Sequence, residues 1–281
     1  MVANMFLIQS LELMSRISAI LGKTSEKSHF EAEARGARDE FHREYVAPNG
    51  RIISDTQAAY ALAICLDILS PTQKVRAGER LAELARKNNF RITTGFAGTP
   101  YVCEALASTG HLNVAYAMLL EKNCPSWLYP VTMGATTVWE RWDAMLPDGS
   151  INPGEMTSFN HYAFGAVAKF MYERVAGLVR LEPGWTRCRV QPGVGAEFTE
   201  ASASHVTPRG EIRSSWKAVA GSNGNEQMAV SVEVPYGTMV EVVLPEGTRE
   251  RREVVGTGRW EFKTSFTRGY EWPVLPLPPK S

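Results

Sequence analysis

The sequence has 281 residues, of which 44% are hydrophobic and 21% charged, and its 30 basic residues balance its 30 acidic ones. This composition is typical of a globular chain and excludes an intrinsically disordered one. With zero net charge, the sequence lacks the excess of basic residues that is typical of nucleic-acid-binding proteins. No apolar run reaches the roughly 18–20 residues that a membrane span needs. We therefore expect neither nucleic acid nor a membrane as a partner.

Residues 1–21 predict a buried or nearly buried helix. Polar side chains, among them Gln9, Glu12 and Arg16, interrupt the apolar residues at helical spacing. A secretory leader instead has a basic start and a continuous apolar run. The segment therefore does not resemble a leader, and localisation stays open.

Seven helices are expected in residues 1–177. They cover roughly 3–21, 25–44, 55–69, 72–88, 98–109, 111–121 and 158–175. Asp55 or Ser54 is the expected N-cap of the third helix, and Ser70 that of the fourth. The short connections predict antiparallel helical hairpins.

After Gly177 the pattern changes to strands. Val230, Val232 and Val234 alternate with polar residues, a Pro-Tyr-Gly-Thr turn follows, and alternation resumes at Val240, which predicts a hairpin. A second hairpin is expected at 202–206 with 211–219, and further strands at 178–194 and 250–263. Residues 178–281 therefore predict an antiparallel β-sandwich domain. Its last part, 273–281, contains four prolines and is expected to lie extended along the surface.

The segment 124–164 is the richest in aromatic and reactive side chains. It contains Trp127, Tyr129, Trp139, Glu140, Trp142, Asp143, Glu155, His161 and Tyr162. Aromatic rings near carboxylates favour carbohydrate, because sugar C–H faces stack on rings and hydroxyls need polar partners. Burial between Trp139 and Trp142 would raise the pKa of Glu140, whereas Arg141 would lower it, so its role as acid or base stays open at this point.

The sequence predicts no metal and no cofactor. Five scattered histidines form no HExxH motif, and four widely spaced cysteines form no CxxC pair. Neither GxGxxG nor GxxxxGK[ST] occurs, so nucleotide binding has no support.

Several motifs carry a family resemblance. GATTVWERWD at 134–143 and MTSFNHYAFGAV at 156–167 resemble the C-terminal half of the catalytic domain of α-L-rhamnosidases, glycoside hydrolase family 78. Four further stretches resemble the same family. In the helical region they are ISDTQAAYALAICLDIL at 53–69 and ITTGFAGTPYVCEALASTG at 92–110, and in the strand region VTPRGEIRSSW at 206–216 and VEVPYGTMVEVVLPEG at 232–247. The resemblance covers essentially the whole chain.

The resemblance implies an (α/α)6 barrel followed by a β-sandwich, and hydrolysis of terminal α-L-rhamnosides with inversion. It implies that Glu140 is the general base that activates water and that His161 contacts the sugar. Trp139 and Trp142 are candidates for the wall of the sugar pocket, without a choice between the two indoles. Phe96, in the TTGFAGT loop, is a weaker candidate.

The sequence departs from the family in two respects. A complete barrel needs twelve helices, and about seven are predicted here. The family's general acid lies in a preceding segment, which residues 1–52 do not match. We therefore expect an α+β two-domain fold, with part of an (α/α)6 barrel at 1–177 and the β-sandwich at 178–281. We also expect little or no hydrolysis by this chain alone, and poor solubility, self-association through the exposed half-barrel, or pairing with a complementary fragment.

Simpler interpretations stay open. Glu140 is alternatively a structural carboxylate paired with Arg141 or Arg174, and His161 a core histidine. The two tryptophans, three residues apart, are alternatively a packing pair. The competing functions are a non-catalytic rhamnoside-binding fragment and another α/α-barrel carbohydrate-active enzyme.

Overall fold

The computed structural model describes residues 1–220, 226–246, 249–266 and 272–278. Its contacts divide the chain into two compact units: Met1–Phe164 with the tail that begins at Val274, and Gly165–Pro273. The predicted domain boundary after residue 177 stays a prediction. The first unit is helical, and the second contains all the described strands.

The helices of the described chain come first. They are α1 Val2–Ile20, α2 Thr24–Tyr45, α3 Gln57–Cys65, α4 Pro71–Lys87, α5 Thr99–Ser108, α6 Leu112–Leu120, α7 Leu128–Thr132 and α8 Val167–Phe170. A 3-10 turn at Ala163–Ala166 precedes α8, and a π-helical turn at Met171–Val175 follows it. Helix α1 packs against α2, α3 against α4 and α5, and α5 against α6.

The first six predicted helices are confirmed, and the seventh is wrong in part. Residues 158–162 are not helical, and the helical stretch begins only at Ala163. The reason is that the backbone of residues 158–161 is hydrogen-bonded to residues 137–140 instead. Helix α7, five residues within the aromatic segment, was not predicted.

Helix α1 packs on one side only. Met5 and Ile8 are fully buried, whereas Leu13, Ile17 and Ile20, which form an apolar stripe at helical spacing, are exposed. No described residue covers that stripe. The prediction of a buried or nearly buried helix is therefore wrong, although the helix itself is confirmed.

The helix starts show how local chemistry sets the fold. Ser70 forms the expected capping box with Gln73 at the start of α4. At α3, however, the N-cap is Thr56, whose side chain accepts a hydrogen bond from the backbone N–H of Ala59. The expectation that Asp55 or Ser54 caps this helix is wrong, because the Asp55 carboxylate binds elsewhere.

Asp55 is the centre of a polar network. Its backbone has φ of +47°, and its carboxylate accepts two hydrogen bonds from Arg80, at 2.9 and 2.6 Å, and one from the Tyr60 hydroxyl at 2.9 Å. The Arg80 guanidinium is the main cause that lowers the pKa of Asp55 to about 2. The network fastens the loop before α3 to α4.

We expect the Asp55→Asn variant to lose about 2 kcal/mol of unfolding free energy at pH 5, because the ionised carboxylate stabilises the fold. Since its folded pKa is depressed, this contribution is present above the unfolded pKa of about 3.9 and is lost as pH falls toward 2. Asparagine tolerates the left-handed backbone, so the variant removes mainly the charge. Urea unfolding followed by circular dichroism at pH 5 and pH 2.5 measures both effects. Asp39→Asn, an exposed acid on α2, is the control, and an unchanged acid slope in Asp55→Asn would contradict the prediction.

The strands form two four-stranded sheets in the second unit. They are β1 Leu178–Arg180, β2 Arg187–Val190, β3 Glu200–Thr207, β4 Gly210–Ala220, β5 Glu226–Val234, β6 Met239–Glu246, β7 Arg249–Val255 and β8 Gly258–Ser265. The sheet orders are β1-β2-β6-β7 and β3-β4-β5-β8. Buried side chains of both sheets, among them Val190 and Val242 of the first and Trp216 and Val232 of the second, share one core. The predicted β-sandwich is therefore confirmed.

The strands and their pairing within the sandwich differ from the prediction in four places. The hairpin at β3 and β4 is confirmed, but β5 and β6 do not pair: β5 lies between β4 and β8, and β6 between β2 and β7. The Pro235–Thr238 turn thus crosses between sheets. The predicted strands 178–194 and 250–263 are each divided in two, and β2 pairs with β6 in parallel, an exception to the antiparallel pattern.

The described tail is tied to the helical unit. The Arg86 side chain donates to the carbonyl of Leu275 at 2.9 Å, and the backbone N–H of Leu277 donates to the carbonyl of Arg86 at 3.2 Å. Residues 272–278 contain no helix or strand, in agreement with an extended tail. The remaining tail residues, 279–281, lie outside the described part.

None of the helices in the described part is long and apolar enough to cross a membrane.

Candidate active site

Two short segments, 137–140 and 158–161, lie side by side. The backbone N–H of Glu140 donates to the carbonyl of Ser158 at 2.9 Å, and that of His161 donates to the carbonyl of Val138 at 2.8 Å. The Thr137 hydroxyl donates to the carbonyl of Phe159 at 2.5 Å. Glu140 and His161, far apart in sequence, are thus carried by one hydrogen-bonded pair of segments.

The Glu140 carboxylate is half-buried and is oriented by Ser158. Its Oε2 atom accepts a hydrogen bond from the backbone N–H of Ser158 at 3.2 Å. Among the described residues, its Oε1 atom has no hydrogen-bond partner. The carboxylate is therefore oriented through one oxygen, and the other remains available to accept a proton from a bound molecule.

Arg141 turns away from Glu140 and binds Asp143. Its Nε and Nη2 atoms donate to the two oxygens of Asp143 at 2.7 and 3.3 Å, and its Nη1 atom donates to the carbonyl of Glu155 at 3.2 Å. Asn152 also donates to Asp143, at 2.9 Å. The alternative in which Arg141 pairs with Glu140 is therefore wrong, since the two-pronged bond to Asp143 uses the guanidinium. Asp143 and Glu155, which received no specific role from the sequence, hold this arginine.

His161 is fixed by its backbone and its ring. The backbone N–H of Ala163 donates to its Nδ1 atom at 3.3 Å, so the neutral ring carries its proton on Nε2. The imidazole is nearly parallel to Phe96, with centroids 4.7 Å apart and planes 13° apart. In this tautomer Nε2 is a donor, which suits a sugar hydroxyl.

A series of aromatic rings extends from His161. Phe96 contacts Phe164 at 5.1 Å, Phe164 stacks on Trp142 at 3.8 Å and 11°, and Trp142 meets Trp127 edge-on at 5.9 Å. The Trp127 indole N–H donates to the carbonyl of Phe164 at 3.0 Å. Phe96, His161 and Trp142, three of the predicted site residues, thus belong to one contiguous cluster with Phe164 and Trp127.

Sequence reasoning did not assign Phe164 or Trp127 to the site. The available signal was their position: Trp127 lies in the aromatic-rich segment, and Phe164 ends the SFNHYAF motif. Nothing in the spacing indicates that Phe164 lies between Phe96 and Trp142, because these contacts join three separate segments of the chain.

Trp139 belongs to a different cluster. It is 3% exposed and packs edge-on against Phe159 at 5.2 Å, with Tyr129 and Ala144 as buried neighbours. Residues 139–142 are not helical, so the two indoles do not share a helix face. The geometry favours packing for Trp139, and its assignment to the sugar pocket stays a prediction.

Buried polar side chains hold the Phe96 loop. The Gln57 side chain donates to the carbonyl of Arg91 at 3.1 Å and accepts from the backbone N–H of Thr93 at 3.0 Å. The hydroxyls of Thr94 and Thr99 are 2.8 Å apart on either side of Phe96. Gln57, Thr94 and Thr99 are all buried, so the loop has a fixed base.

Within the part of the chain that the structure describes, no group of three or more His, Cys, Asp and Glu residues is placed to hold a metal ion.

Two family models match the chain in succession. The first is described as the bacterial alpha-L-rhamnosidase 6 hairpin glycosidase domain and matches residues 1–175. The second is described as the bacterial alpha-L-rhamnosidase C-terminal domain and matches residues 177–259. Together they span both the helices and most of the strands.

Individual relatives agree with the family models. An alpha-L-rhamnosidase of Formosa agariphila is 34% identical over 256 residues, which cover 90% of this chain and 27% of the relative. The crystal structure of native alpha-L-rhamnosidase from Aspergillus terreus has a TM-score of 0.87 and 37% identity, and the match covers 92% of this chain and 30% of that one. The Streptomyces avermitilis alpha-L-rhamnosidase, solved as a complex with L-rhamnose, has a TM-score of 0.85 and 33% identity over 93% of this chain and 26% of that one.

The chain thus spans less than a third of the length of each of these relatives. The match is continuous across the helical and strand regions, and it includes the segments that carry Glu140 and His161. The chain belongs to the bacterial α-L-rhamnosidase family.

Proposed function

We propose that this chain carries the water-activating side of an inverting α-L-rhamnosidase site, with Glu140 as general base. The main support is the pairing of segments 137–140 and 158–161, which carries the half-buried Glu140 carboxylate and the His161 imidazole together. Ser158 orients one oxygen of Glu140, and the other is available to take a proton from water.

Inversion needs a second carboxyl group. In an inverting glycosidase, an acid protonates the leaving oxygen while the base activates water on the opposite face, and the two groups stand roughly 6.5–9.5 Å apart. We match no residue of this sequence to that acid. The proposal therefore includes weak or absent hydrolysis of natural rhamnosides by this chain alone, since a general acid contributes about 10²–10⁴-fold.

The sugar-contacting groups are His161, Trp142 and Phe96. Rhamnose is a 6-deoxy sugar, so its methyl group and C–H faces suit aromatic rings, and its hydroxyls suit the Nε2 donor of His161. Phe164 and Trp127 hold Trp142 and so position this wall. The expectation that the chain associates with itself stays a prediction, and the exposed apolar stripe of α1 is its support.

A rhamnoside-binding fragment without catalysis is the second candidate. The observation that favours it is the contiguous aromatic cluster around His161, and the expectation that the general acid is missing stays a prediction. Both candidates need binding of the sugar, and they differ in whether Glu140 supports turnover.

We expect L-rhamnose to change the intrinsic tryptophan fluorescence of the chain, because Trp142 and Trp127 lie in the aromatic cluster. His161→Ala should weaken L-rhamnose binding about ten-fold, as expected for the loss of one buried hydrogen bond and a ring contact. His205→Ala, a histidine packed against Trp185 in the strand unit, is the matched control and should bind as the unmodified chain does. No fluorescence response at high millimolar L-rhamnose would contradict both candidate functions.

A further inference from the structure

A polar groove of about 590 Å³ lies between helix α4 and the turn that precedes α3. Its charged lining residues are Arg51 of the turn and Arg76, Glu79 and Arg80 of α4. None of them belongs to the aromatic cluster of the candidate site, and the proposed function gives them no role. Three arginines around one groove repel each other, and this repulsion favours an anion between them.

The turn that carries Arg51 is held by its own hydrogen bonds. The backbone N–H of Ala47 donates to the carbonyl of Arg51 at 2.9 Å, and that of Gly50 donates to the carbonyl of Ala47 at 2.8 Å. Gly50 has φ of +82°, and a Cβ atom there would lie 3.1 Å from the Cα atom of Gln73, so the turn lies directly against α4. Arg51 thus extends from an ordered backbone, which lowers the entropy that a ligand loses on binding.

Two of the three arginines lack a close acidic partner. Arg80 is held by Asp55, through two hydrogen bonds, and by Glu83. Arg51 approaches Asp55 only to 3.8 Å between Nη2 and Oδ2, which is beyond hydrogen-bond distance. Among the described residues, the Arg76 side chain has no hydrogen-bond or ion-pair partner. The guanidinium groups of Arg51 and Arg76 are therefore available to a ligand.

The acids of the groove limit the kind of anion that fits. Asp55 and Glu83 are balanced by Arg80 and Lys87, so Glu79 is the acid that opposes the two available guanidinium groups. The positive balance is small, and it suits a singly charged anion better than a doubly charged one such as phosphate. A carboxylate only accepts hydrogen bonds, so Glu79 favours a ligand that also carries hydroxyl groups.

We infer that this groove binds a uronic acid, with the sugar carboxylate on Arg51 and Arg76 and a ring hydroxyl on Glu79. Guanidinium groups bind carboxylates through paired N–H donors, and the sugar hydroxyls supply the donors that Glu79 needs. The Asn49 side-chain oxygen accepts from the backbone N–H of Arg51 at 3.1 Å, which leaves its amide N–H groups as further donors at the same edge.

The arginine Nε–H signals in ¹H–¹⁵N NMR spectra of the full chain test this inference, with sodium D-galacturonate as the probe. We expect the signals of Arg51 and Arg76 to shift, with a dissociation constant of about 1 mM, as expected for two charge-assisted hydrogen bonds. D-galactose, which has a hydroxymethyl group in place of the carboxylate, should leave both signals unchanged. Arg76→Gln should weaken galacturonate binding, followed at Arg51, about ten-fold.

Arg16→Gln is the matched control, because Arg16 is an exposed arginine of α1 that does not line the groove. This variant should bind galacturonate as the unmodified chain does. No shift at high millimolar galacturonate, an equal shift with galactose, or an undiminished affinity in Arg76→Gln would overturn the inference. Tighter binding of inorganic phosphate than of galacturonate would also overturn it. L-rhamnose affinity should be the same in Arg76→Gln as in the unmodified chain, so this inference and the proposed function can fail independently.

Discussion

Glu140→Gln is expected to lower the hydrolysis of 4-nitrophenyl α-L-rhamnoside by about 10²–10⁴-fold, the contribution typical of a general base. This substrate is chosen because its acidic leaving group needs little protonation, so we expect measurable hydrolysis even if the chain has no general acid. The glutamine amide is nearly isosteric, and its oxygen can still accept the hydrogen bond from Ser158. L-rhamnose affinity should therefore stay within a few-fold, and the loss should appear in kcat.

Glu155→Gln provides the control for this experiment. Glu155 is an exposed carboxylate in the same segment, and the structure records only its backbone carbonyl in a hydrogen bond, to Arg141. The Glu155→Gln variant should hydrolyse 4-nitrophenyl α-L-rhamnoside at the same rate as the unmodified chain. NMR of the first-formed sugar should show the β-anomer, as inversion requires. Full turnover in Glu140→Gln would contradict the base assignment, and turnover of a natural rhamnoside that disappears in this variant would show that the chain contains an acid after all.

Residue types and motifs in the sequence predicted which residues belong to the site, but not which contacts they make. The motifs indicated Glu140 and His161 as site residues, but the sequence did not indicate which carboxylate Arg141 binds. Both Glu140 and Asp143 are within two residues of Arg141, and the choice depends on the turn that brings the Asn152 amide to Asp143 and the Glu155 carbonyl to the Arg141 guanidinium. Chain geometry, and not charge, decided which carboxylate is paired.

Trp139 and Trp142 likewise show that sequence spacing did not predict side-chain contacts. A spacing of three residues places side chains on one face only if the segment is helical. Residues 139–142 are irregular, so Trp139 points to Phe159 and Trp142 to Phe164. The segment is irregular because its backbone pairs with residues 158–161, a contact between positions that no local pattern relates.

The fold was more predictable where local signals suffice. Periodicity predicted α1 to α6, and alternation predicted the strands, because side-chain direction repeats with the backbone. Alternation does not reveal the partner of a strand. Val234 and Val240 flank a turn that fits a hairpin, yet β5 and β6 belong to different sheets. Valines of both strands, among them Val232 of β5 and Val242 of β6, pack into one core from two facing sheets.

Trp216→Ala is expected to produce the largest loss of stability among the variants considered, about 3–5 kcal/mol of unfolding free energy. Trp216 is 2% exposed and lies on the inner strand β4, between Ala201 of β3 and Val230 of β5. Its indole N–H donates to the carbonyl of Val175 at 2.7 Å. The substitution therefore removes the largest side chain of the sandwich core and leaves a buried carbonyl without its donor.

Two further tryptophan variants separate the contributions of volume and hydrogen bonding. Trp216→Phe keeps most of the ring but leaves the Val175 carbonyl unpaired, so it should cost about 1–3 kcal/mol. Trp260→Ala, on the edge strand β8, removes a side chain that is 40% exposed and donates to Gly256, and should cost about 1 kcal/mol or less. Urea unfolding followed by circular dichroism should thus rank the variants Trp216→Ala, Trp216→Phe and Trp260→Ala in decreasing order of loss. Equal losses at positions 216 and 260 would mean that burial in the shared core of the two sheets does not govern the stability of this unit.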